Sequence, residues 1–130
     1  MPGWNIAEVW EAVADVQPDA PAQVHRDRRL TWKEFDRRAD GVAAAFLELG
    51  VERQDKVAQY LYNGPEYLES LYGAWKAGLV PVNTNYRYTD DENASTRSMP
   101  GWYLSRPCLT GSLHITPEDA TRNRLARSQR

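Results

Sequence analysis

The side chains that could do chemistry are few and are widely separated in the sequence. The two histidines, His25 and His114, have no nucleophile or orienting acid at a spacing that would pair with either of them. The single cysteine, Cys108, cannot form an internal disulfide, and no metal-ligand spacing surrounds it. We therefore predict no catalytic histidine and no metal-binding or redox-active cysteine.

Two further stretches resemble binding motifs but have a structural explanation. The pair Gly73 and Gly78 has the glycine spacing of a phosphate-binding loop, but it lies within a helical pattern and lacks the Lys and Ser/Thr that such a loop needs. The acids at positions 90–92 could bind a metal ion, yet they directly follow Thr89, where carboxylates favour the start of a helix. We predict no metal site and no cofactor site from either stretch.

Aromatic and basic residues alternate in Tyr86, Arg87 and Tyr88. Such residues can stack on nucleic-acid bases, and the last part of the chain is also basic. The six arginines of that last part, however, form no organised face and follow no helical or strand period. We therefore predict packing at a strand end for these residues and no nucleic-acid partner.

The stretch from Lys56 to Tyr88 is the one around which the elements are organised. Val57–Tyr62 is typical of a strand, and the Asn-Gly-Pro sequence after it ends a strand and can open a helix. Glu66–Ala77 has apolar residues at helical spacing, and Gly78 lies where a helix C-terminal cap belongs. A second apolar run follows, so a parallel, right-handed βαβ unit is predicted. The expected buried face of its helix consists of Leu68, Leu71, Tyr72 and Trp75.

Three elements are predicted before this unit. A helix over Ile6–Val16 is indicated by the pair Asn5 and Glu8, a capping-box spacing, and by five apolar residues at helical spacing (Ile6, Val9, Trp10, Val13 and Val16). A hairpin follows, with strands 22–25 and 29–31 around the turn Arg26-Asp27-Arg28. A second capping box, Thr31 and Glu34, opens a long helix that ends at Gly50, with the buried stripe Phe35, Ala39, Val42, Phe46 and Leu49.

Charge and pattern both change near residue 92. Residues 1–92 hold 16 acids and 10 bases, whereas residues 93–130 hold two acids and six arginines. Thr89 and Glu92 have the spacing of a capping box, which predicts the start of a helix. No apolar stripe follows them, however, and Met99-Pro100-Gly101 would break a helix that started there. In the tail only Thr116-Pro117 is typical of a helix start. We predict an α/β region over residues 1–92, followed by a poorly structured Arg/Ser/Pro-rich tail over 93–130.

The composition is that of a globular protein. No apolar run approaches the roughly 20 residues that a transmembrane helix needs. The N-terminal sequence MPGWNIAEVW has no basic region followed by an apolar block. These observations lead us to expect a cytoplasmic protein.

Two stretches together resemble the N-terminal region of the adenylate-forming acyl-CoA synthetases, most closely the bacterial fatty-acyl-CoA synthetases. They are LTWKEFDRRADGVAAAFLELGV, from Leu30, and DKVAQYLYNGPEYLESLYGAWKAGLVPVNTNYRYTDDE, from Asp55. The most specific parts are Leu30–Phe35, the pair Asn63 and Glu66, Ala77-Gly78, and Pro81-Val82-Asn83 leading to Asn85–Tyr88. The resemblance covers residues 5–92 and stops within the third capping box.

The resemblance implies a partial synthetase domain that lacks its active site. Such enzymes join a carboxylic acid to AMP with ATP and Mg²⁺ and pass the acyl group to coenzyme A. Their Thr/Ser/Gly-rich phosphate loop ending in Pro-Lys lies downstream of the matched region, and Thr110-Gly111-Ser112 is too short and lacks the lysine. No catalytic, cofactor-binding or metal-binding residue can be carried over, so this chain is expected to be inactive and to need no cofactor. Its sequence does not indicate the length of the acyl substrate.

Two hypotheses explain the break at residue 92: a frameshift, which the unpatterned tail favours, or fusion to unrelated sequence. A function from a different class also remains open. The chain would then be a non-enzymatic interaction module that self-associates, or binds a full-length synthetase or a complementary fragment, through sheet edges left uncovered.

Overall fold

The protein is described by a computed structural model over residues 5–59, 61–84, 102–107 and 113–115. For the last two segments the backbone alone is described. In chain order the elements are α1 (Ile6–Val16), β1 (Pro21–His25), β2 (Arg28–Thr31), α2 (Trp32–Glu48), β3 (Lys56–Gln59), α3 (Pro65–Lys76), β4 (Val80–Asn83), β5 (Trp102–Pro107) and β6 (Leu113–Ile115). This is the mixed α/β architecture that the sequence predicts.

Both predicted capping boxes in the described part of the chain are confirmed. At α1 the Asn5 side chain accepts from the backbone of Ala7 at 3.2 Å, and the Glu8 carboxylate accepts from the Asn5 N–H. At α2 the Thr31 hydroxyl accepts from the Glu34 N–H at 3.3 Å, and the Glu34 carboxylate accepts from the Thr31 N–H at 2.9 Å. These contacts satisfy backbone donors that have no partner within the helix, which is why the helices begin at these positions.

The hairpin is also confirmed, with strand limits one residue wider than predicted. β1 pairs with β2 in antiparallel register from His25 opposite Arg28 to Pro21 opposite Thr31. The turn places Arg26 at a positive φ of 53°. The pairing is irregular between Pro21 and Gln23, consistent with a proline that has no N–H to donate.

The βαβ unit is confirmed in its order and in the parallel pairing of β3 with β4. The structure describes its first strand over Lys56–Gln59, and Leu61 and Tyr62, which were predicted to belong to it, are not in a strand. The ladder with β4 runs from Lys56 opposite Val80 to Gln59 opposite Asn83, and the Thr84 N–H then donates to the Gln59 carbonyl at 3.0 Å. Gly78 has a φ of 71°, which confirms its place just after the end of α3.

Two strands lie within the predicted tail, where the sequence analysis predicted none. β5 pairs in parallel with β3, and β6 pairs antiparallel with β5, giving the sheet order β4-β3-β5-β6. Strand pairing between distant segments depends on partners that a local sequence pattern does not reveal, and this is why both strands were missed. The predicted helix starts at Thr89 and Thr116 lie outside the described residues.

The core consists of two clusters on either side of α2 and α3. One joins α2 and α3 to the sheet through Phe46, Val51, Val57, Ala74 and Leu79. The other is aromatic and joins the three helices, with Ala7, Phe35, Ala39 and Tyr72 buried and Trp10, Trp32 and Trp75 packed around them. The predicted stripe of α2 is confirmed: Phe35, Ala39 and Phe46 are buried, while Val42 and Leu49 are half-buried against the core.

The predicted buried face of α3 is wrong in part. Tyr72 is fully buried and Trp75 packs on the aromatic cluster, but Leu68 is exposed. Glu69, Ser70, Gly73 and Ala74 are buried instead. The reason is that α3 packs against α2 on one side and the sheet on the other. Small residues permit that close approach, whereas a leucine at the same positions would hold the helices apart.

The α2–α3 contact gives a prediction about two helical glycines. A Cβ atom added at Gly73 would lie 2.6 Å from the Val42 side chain and 2.9 Å from the Ala39 carbonyl, whereas one added at Gly41 would meet nothing within 4 Å. We expect Gly41→Ala to raise the free energy of unfolding by about 0.5 to 1 kcal/mol. Gly73→Ala should lower it by about 1 to 2 kcal/mol, because the cost of overpacking exceeds the gain in helix propensity.

Urea unfolding followed by tryptophan fluorescence measures both variants. Gly41→Ala serves as the matched control, since both substitutions replace a helical glycine by alanine. Equal stabilisation by the two variants would contradict the close contact between α2 and α3.

Candidate functional site

A groove separates the β1–β2 hairpin from the start of α3. Its two adjoining parts have volumes of about 420 and 460 Å³ and share His25, Asn63, Gly64 and Pro65. The N-terminal end of α3 has no side-chain cap, and proline occupies its first turn. This groove is a concave feature that the described residues define, and its lining includes His25.

The charges beside the groove form a bridge between its two walls. Arg28 of β2 contacts Glu66 of α3 at 2.7 Å. Burial alone would raise the pKa of the Glu66 carboxyl, but hydrogen bonds from its own backbone N–H and from Arg28 lower it. The carboxylate of Glu66 therefore occupies the positive end of α3, where an incoming anion would otherwise bind.

The most highly charged cluster joins the three helices. The Lys76 ammonium lies 2.6 Å from Asp40, 2.7 Å from Asp36 and 3.1 Å from Glu11. Only 8% of its side chain is exposed, and the nitrogen lies 4.9 Å from the centre of the Tyr72 ring. This arrangement fastens α1 and α2 to the last turn of α3, where a positive charge also complements the helix dipole.

Tyr72 extends the cluster into the aromatic core. Its hydroxyl donates to Asp36 at 2.5 Å, the same carboxylate that contacts Lys76. Its ring meets those of Trp10 and Phe35, with ring centres 5.1 Å apart in each case. Tyr72 thus links the ionic contacts of the helices to their apolar packing.

The protonation states in this cluster do not suit acid-base catalysis near neutral pH. Burial alone would lower the pKa of Lys76, but hydrogen bonds to Asp36, Asp40 and Glu11 raise it above its ordinary value of 10.5. Burial and the hydrogen bond to Asp36 raise the pKa of Tyr72 well above 10.0. A general acid or base works best when its pKa lies near the operating pH, so both groups are suited to a structural role.

These pKa shifts predict a loss of stability at alkaline pH. Above about pH 10 the unfolded chain releases the Tyr72 and Lys76 protons, while the folded chain retains them. Both groups contribute fully to the free energy of unfolding below that pH, and this contribution is lost progressively above it. The free energy of unfolding should fall by about 1.4 kcal/mol per pH unit for each proton retained.

Tyr72→Phe tests the tyrosine part of this prediction. At pH 8 the wild-type chain should be more stable than the variant, because the hydroxyl bonds to Asp36. Between pH 10 and 11.5 the difference should shrink, since phenylalanine has no proton to release. Urea unfolding at each pH measures it, and a difference that stays constant over this range would contradict the raised pKa of Tyr72.

A second ion pair joins α2 to α3. Arg38 contacts Glu69 through two hydrogen bonds of 2.6 and 2.9 Å, and Glu69 is buried. The hydrogen bond to Glu69 raises the pKa of Arg38. A guanidinium group matched to a carboxylate in this way gives a strong, directional contact, which explains how α3 accommodates an acid at a buried position.

Several buried polar atoms have no hydrogen-bond partner among the residues that the structure describes. They are both side-chain polar atoms of Gln59, the Ser70 hydroxyl and the Gln23 amide nitrogen. Gln59 follows Val57 by two positions in β3, so its side chain lies on the face that α3 covers. Such atoms cost stability, and none of them was predicted from the sequence.

The residues considered from the sequence as catalytic or binding candidates do not form a site in the described part of the chain. His25 is half-buried and lines the groove, with no acid or nucleophile bonded to it in the described contacts. Gly73 lies inside α3 and Gly78 just after it, so these glycines form no phosphate loop. His114 falls in β6, where only the backbone is described. Positions 85–92, Cys108 and the residues 110–112 lie outside the described part.

The sequence did not predict the Lys76 cluster, which consists of Lys76, Glu11, Asp36 and Asp40, because its members come from three helices. Asp36 and Asp40 are four residues apart, which places them on one face of α2. That spacing was the available signal, but it does not reveal which cation they face.

Two features are absent from the described ranges. No group of three or more His, Cys, Asp or Glu side chains there could hold a metal ion. No helix among these residues has both the length and the apolar character to cross a membrane.

The sequence matches a known family of proteins over most of its length. The chain belongs to the AMP-binding enzyme family, whose model matches residues 10–96. It is 35% identical over 88 residues to a medium/long-chain-fatty-acid–CoA/3-oxocholest-4-en-26-oate–CoA ligase of Mycobacterium tuberculosis. It is 34% identical over 88 residues to a 3-oxocholest-4-en-26-oate–CoA ligase of Rhodococcus rhodochrous. Each match covers 68% of this chain and 16% of the relative.

Solved structures show the same relationship. The N-terminal domain of FACL13 from M. tuberculosis matches with a TM-score of 0.69 and 30% identity, covering 74% of this chain and 26% of that one. The N-terminal subdomain of NpsA from Klebsiella oxytoca, solved with anthranilyl-AMSN, matches with a TM-score of 0.74 over 92% of this chain and 32% of its own. Its 19% identity indicates a shared fold alone. The predicted resemblance to the N-terminal region of an acyl-CoA synthetase is therefore confirmed.

Proposed function

We propose that this chain is the outer, structural portion of an acyl-CoA ligase domain and that it has no ligase activity by itself. In the complete enzymes that it resembles, ATP and Mg²⁺ activate a carboxylic acid as an acyl-adenylate, and coenzyme A then takes the acyl group. Residues 1–92 would be the ligase part, and residues 93–130 a tail produced by a frameshift. A cytoplasmic location, where ATP and coenzyme A are available, belongs to the same proposal.

The proposal rests on one observation: every strongly polar cluster in the described residues is occupied by contacts within the fold. Lys76 and Tyr72 hold their protons at neutral pH, Glu69 is paired with Arg38, and Glu66 fills the positive end of α3. None of these groups is left to bind a nucleotide phosphate or Mg²⁺. The phosphate loop ending in Pro-Lys that the resemblance implies does not occur anywhere in the sequence.

A pyrophosphate-release assay tests the proposal. The purified chain is incubated with ATP, Mg²⁺, coenzyme A and a medium- or long-chain fatty acid, and a complete mycobacterial fatty-acid–CoA ligase is assayed in parallel. We expect release from the complete enzyme and none above the blank from this chain. Release that requires both the acid and ATP would disprove the proposed inactivity.

A second function, association with a synthetase, is favoured by the sheet. Within the ranges that the structure describes, β4 pairs with β3 on one side and has no strand on the other. An open strand edge offers backbone donors and acceptors to another chain. The chain also spans only 16% of the length of the curated relatives that it matches. A partner would then be a full-length synthetase, or a fragment that supplies the remaining part of the domain.

Fragment complementation distinguishes this role. A mycobacterial ligase lacking the region aligned with residues 10–96 is mixed with this chain, and the mixture is analysed by size-exclusion chromatography and by the pyrophosphate assay. Co-elution supports association, and recovered activity would show that the two pieces rebuild a domain. Separate elution at high concentration would argue against the interaction role.

A further inference from the structure

The link between β3 and α3 contains Asn63-Gly64, the one Asn-Gly pair in the sequence. Asn63 is exposed and belongs neither to a helix nor to a strand, and Gly64 directly precedes the first turn of α3. Glycine places no side chain beside its backbone nitrogen and leaves the backbone free to turn. The side-chain amide of an asparagine can therefore react with the nitrogen of a following glycine, a reaction that larger residues hinder.

The fold leaves both reacting groups available. Among the described hydrogen bonds, none uses the Asn63 side chain or the Gly64 N–H. Gly64 has an extended backbone, with φ of −177° and ψ of 177°, and its carbonyl accepts from the Tyr67 N–H at 3.1 Å. The residue is thus held on its carbonyl side, while no described hydrogen bond fixes the peptide group that joins it to Asn63.

The two other asparagines in the described ranges are protected by contacts of the fold. The side-chain amide of Asn5 donates to the Trp75 carbonyl at 3.2 Å. The nitrogen that would attack Asn83 belongs to Thr84, and it donates to the Gln59 carbonyl at 3.0 Å. In each of these cases one of the two reacting groups is already bonded, which is the difference from Asn63.

We propose that Asn63 is a modification site at which the chain undergoes spontaneous deamidation, with water as the co-reactant. The Gly64 nitrogen forms a bond to Cγ of Asn63, the Cγ–Nδ2 bond breaks, and the Gly64 proton leaves with Nδ2 as ammonia. Water then opens the resulting succinimide ring. Its attack at Cγ gives aspartate, whereas attack at the main-chain carbonyl carbon gives isoaspartate, in which the main chain runs through Cγ.

Either product adds a carboxylate to the groove between the hairpin and α3. The charged or titratable side chains that line the same part of the groove are His25, Arg26, Asp27, Arg28 and Glu66. A new acid in this part competes with Glu66 for Arg28, which Glu66 contacts at 2.7 Å. Isoaspartate also lengthens the main chain just before α3. The inference is independent of the proposed ligase origin and of the β4 edge.

Peptide mapping by mass spectrometry follows the reaction in the purified, folded chain, kept in mildly alkaline buffer. We expect Asn63 to gain the mass of an NH2-to-OH exchange before Asn5 or Asn83 does, and an isoaspartate methyltransferase to label the same peptide. Asp40-Gly41 is the internal control, because it can form the same ring by loss of water. It lies within α2, where the helix fixes the Gly41 nitrogen, so it should form no isoaspartate while the chain is folded.

Gly64→Ala tests the role of the residue that supplies the attacking nitrogen. Alanine tolerates the extended backbone, and the nearest atom to a Cβ added there is Oε2 of Glu66, at 3.0 Å and at the end of a flexible side chain. The variant should fold, which circular dichroism checks. It should deamidate at least about fivefold more slowly, because a Cβ atom restricts the backbone. The matched control, Gly41→Ala in α2, should deamidate at the wild-type rate.

Three outcomes would overturn the inference. If Asn63 keeps its amide in the folded chain, the site is not reactive, and deamidation of the chain unfolded in guanidinium chloride would then show that the fold protects it. Equal rates at Asn5 and Asn63 would mean that the free nitrogen of Gly64 does not select the site. A wild-type rate in Gly64→Ala would contradict ring closure through an unhindered nitrogen.

Discussion

Replacing Phe35 by alanine should lower the free energy of unfolding by about 3 to 5 kcal/mol. The side chain is 2% exposed and lies at the centre of the aromatic cluster. Its ring centre is 5.1 Å from that of Tyr72, 5.5 Å from that of Trp10 and 5.9 Å from that of Trp32. The three neighbours come from α3, α1 and the start of α2, so no single element can move to fill the cavity.

The loss should be large relative to the whole stability of a domain of this size, which is about 5 to 15 kcal/mol. Urea unfolding followed by the fluorescence of the tryptophans measures it, and near-ultraviolet circular dichroism should show weaker aromatic signals. The matched control is Leu47→Ala, a substitution of an exposed residue on the same helix, which should change stability by less than about 0.5 kcal/mol. Equal effects of the two substitutions would mean that the aromatic cluster is not a core.

Replacing Lys76 by methionine should lower the free energy of unfolding by about 2 to 3 kcal/mol. Methionine retains much of the apolar stem but removes the charge that Glu11, Asp36 and Asp40 share. Breaking a fully buried pair costs about 3 to 5 kcal/mol. The expected loss is smaller because the three carboxylates are partly accessible to water, which screens their mutual repulsion.

The control for this variant is Lys33→Met, which removes an exposed lysine from α2 and should be nearly neutral. Adding Asp40→Asn to Lys76→Met should recover part of the stability, because it removes one of the unbalanced charges. High salt should also reduce the loss. If Lys76→Met is as stable as Lys33→Met at low salt, the three acids do not depend on Lys76.

The Lys76 cluster bears on function because its protonation states do not suit acid-base catalysis. Its two titrating groups, Tyr72 and Lys76, have pKa values raised away from neutrality, and its acids face a lysine. Within the described residues, the polar clusters therefore join neighbouring elements of the fold. This is the behaviour that the proposed structural role requires.

The sequence determined those features of the fold that depend on residues close to one another in the chain. The capping pairs at Asn5 and Thr31 each act within a single turn, so the beginnings of α1 and α2 follow from residues three positions apart. Gly78 ends α3 because glycine adopts the positive φ required there at low cost. The β3-α3-β4 order follows from the same kind of evidence, since two short apolar runs flank one helical period.

Tertiary structure decided which faces of these elements are buried. The sequence pattern assigned Leu68 to the core of α3 and grouped Ile6 with Val16 on α1, yet all three are exposed. Burial depends on how closely neighbouring helices approach, and here the small residues Gly73 and Ala7 permit the approach. A hydrophobic period shows that a helix has an apolar face but does not say whether the fold covers it.

Long-range pairing was likewise beyond the reach of the sequence. The Lys76 cluster joins α1, α2 and α3, and β5 pairs with β3 across more than 40 positions of chain. In both cases the partners are brought together only when the helices and strands pack, so no local spacing specifies them. The sequence by itself determined, to within about two residues, where α1, α2 and α3 begin and end, and it determined to which family the chain is related. Only the tertiary structure decided which polar side chains meet, because those contacts depend on packing between elements that are distant in sequence.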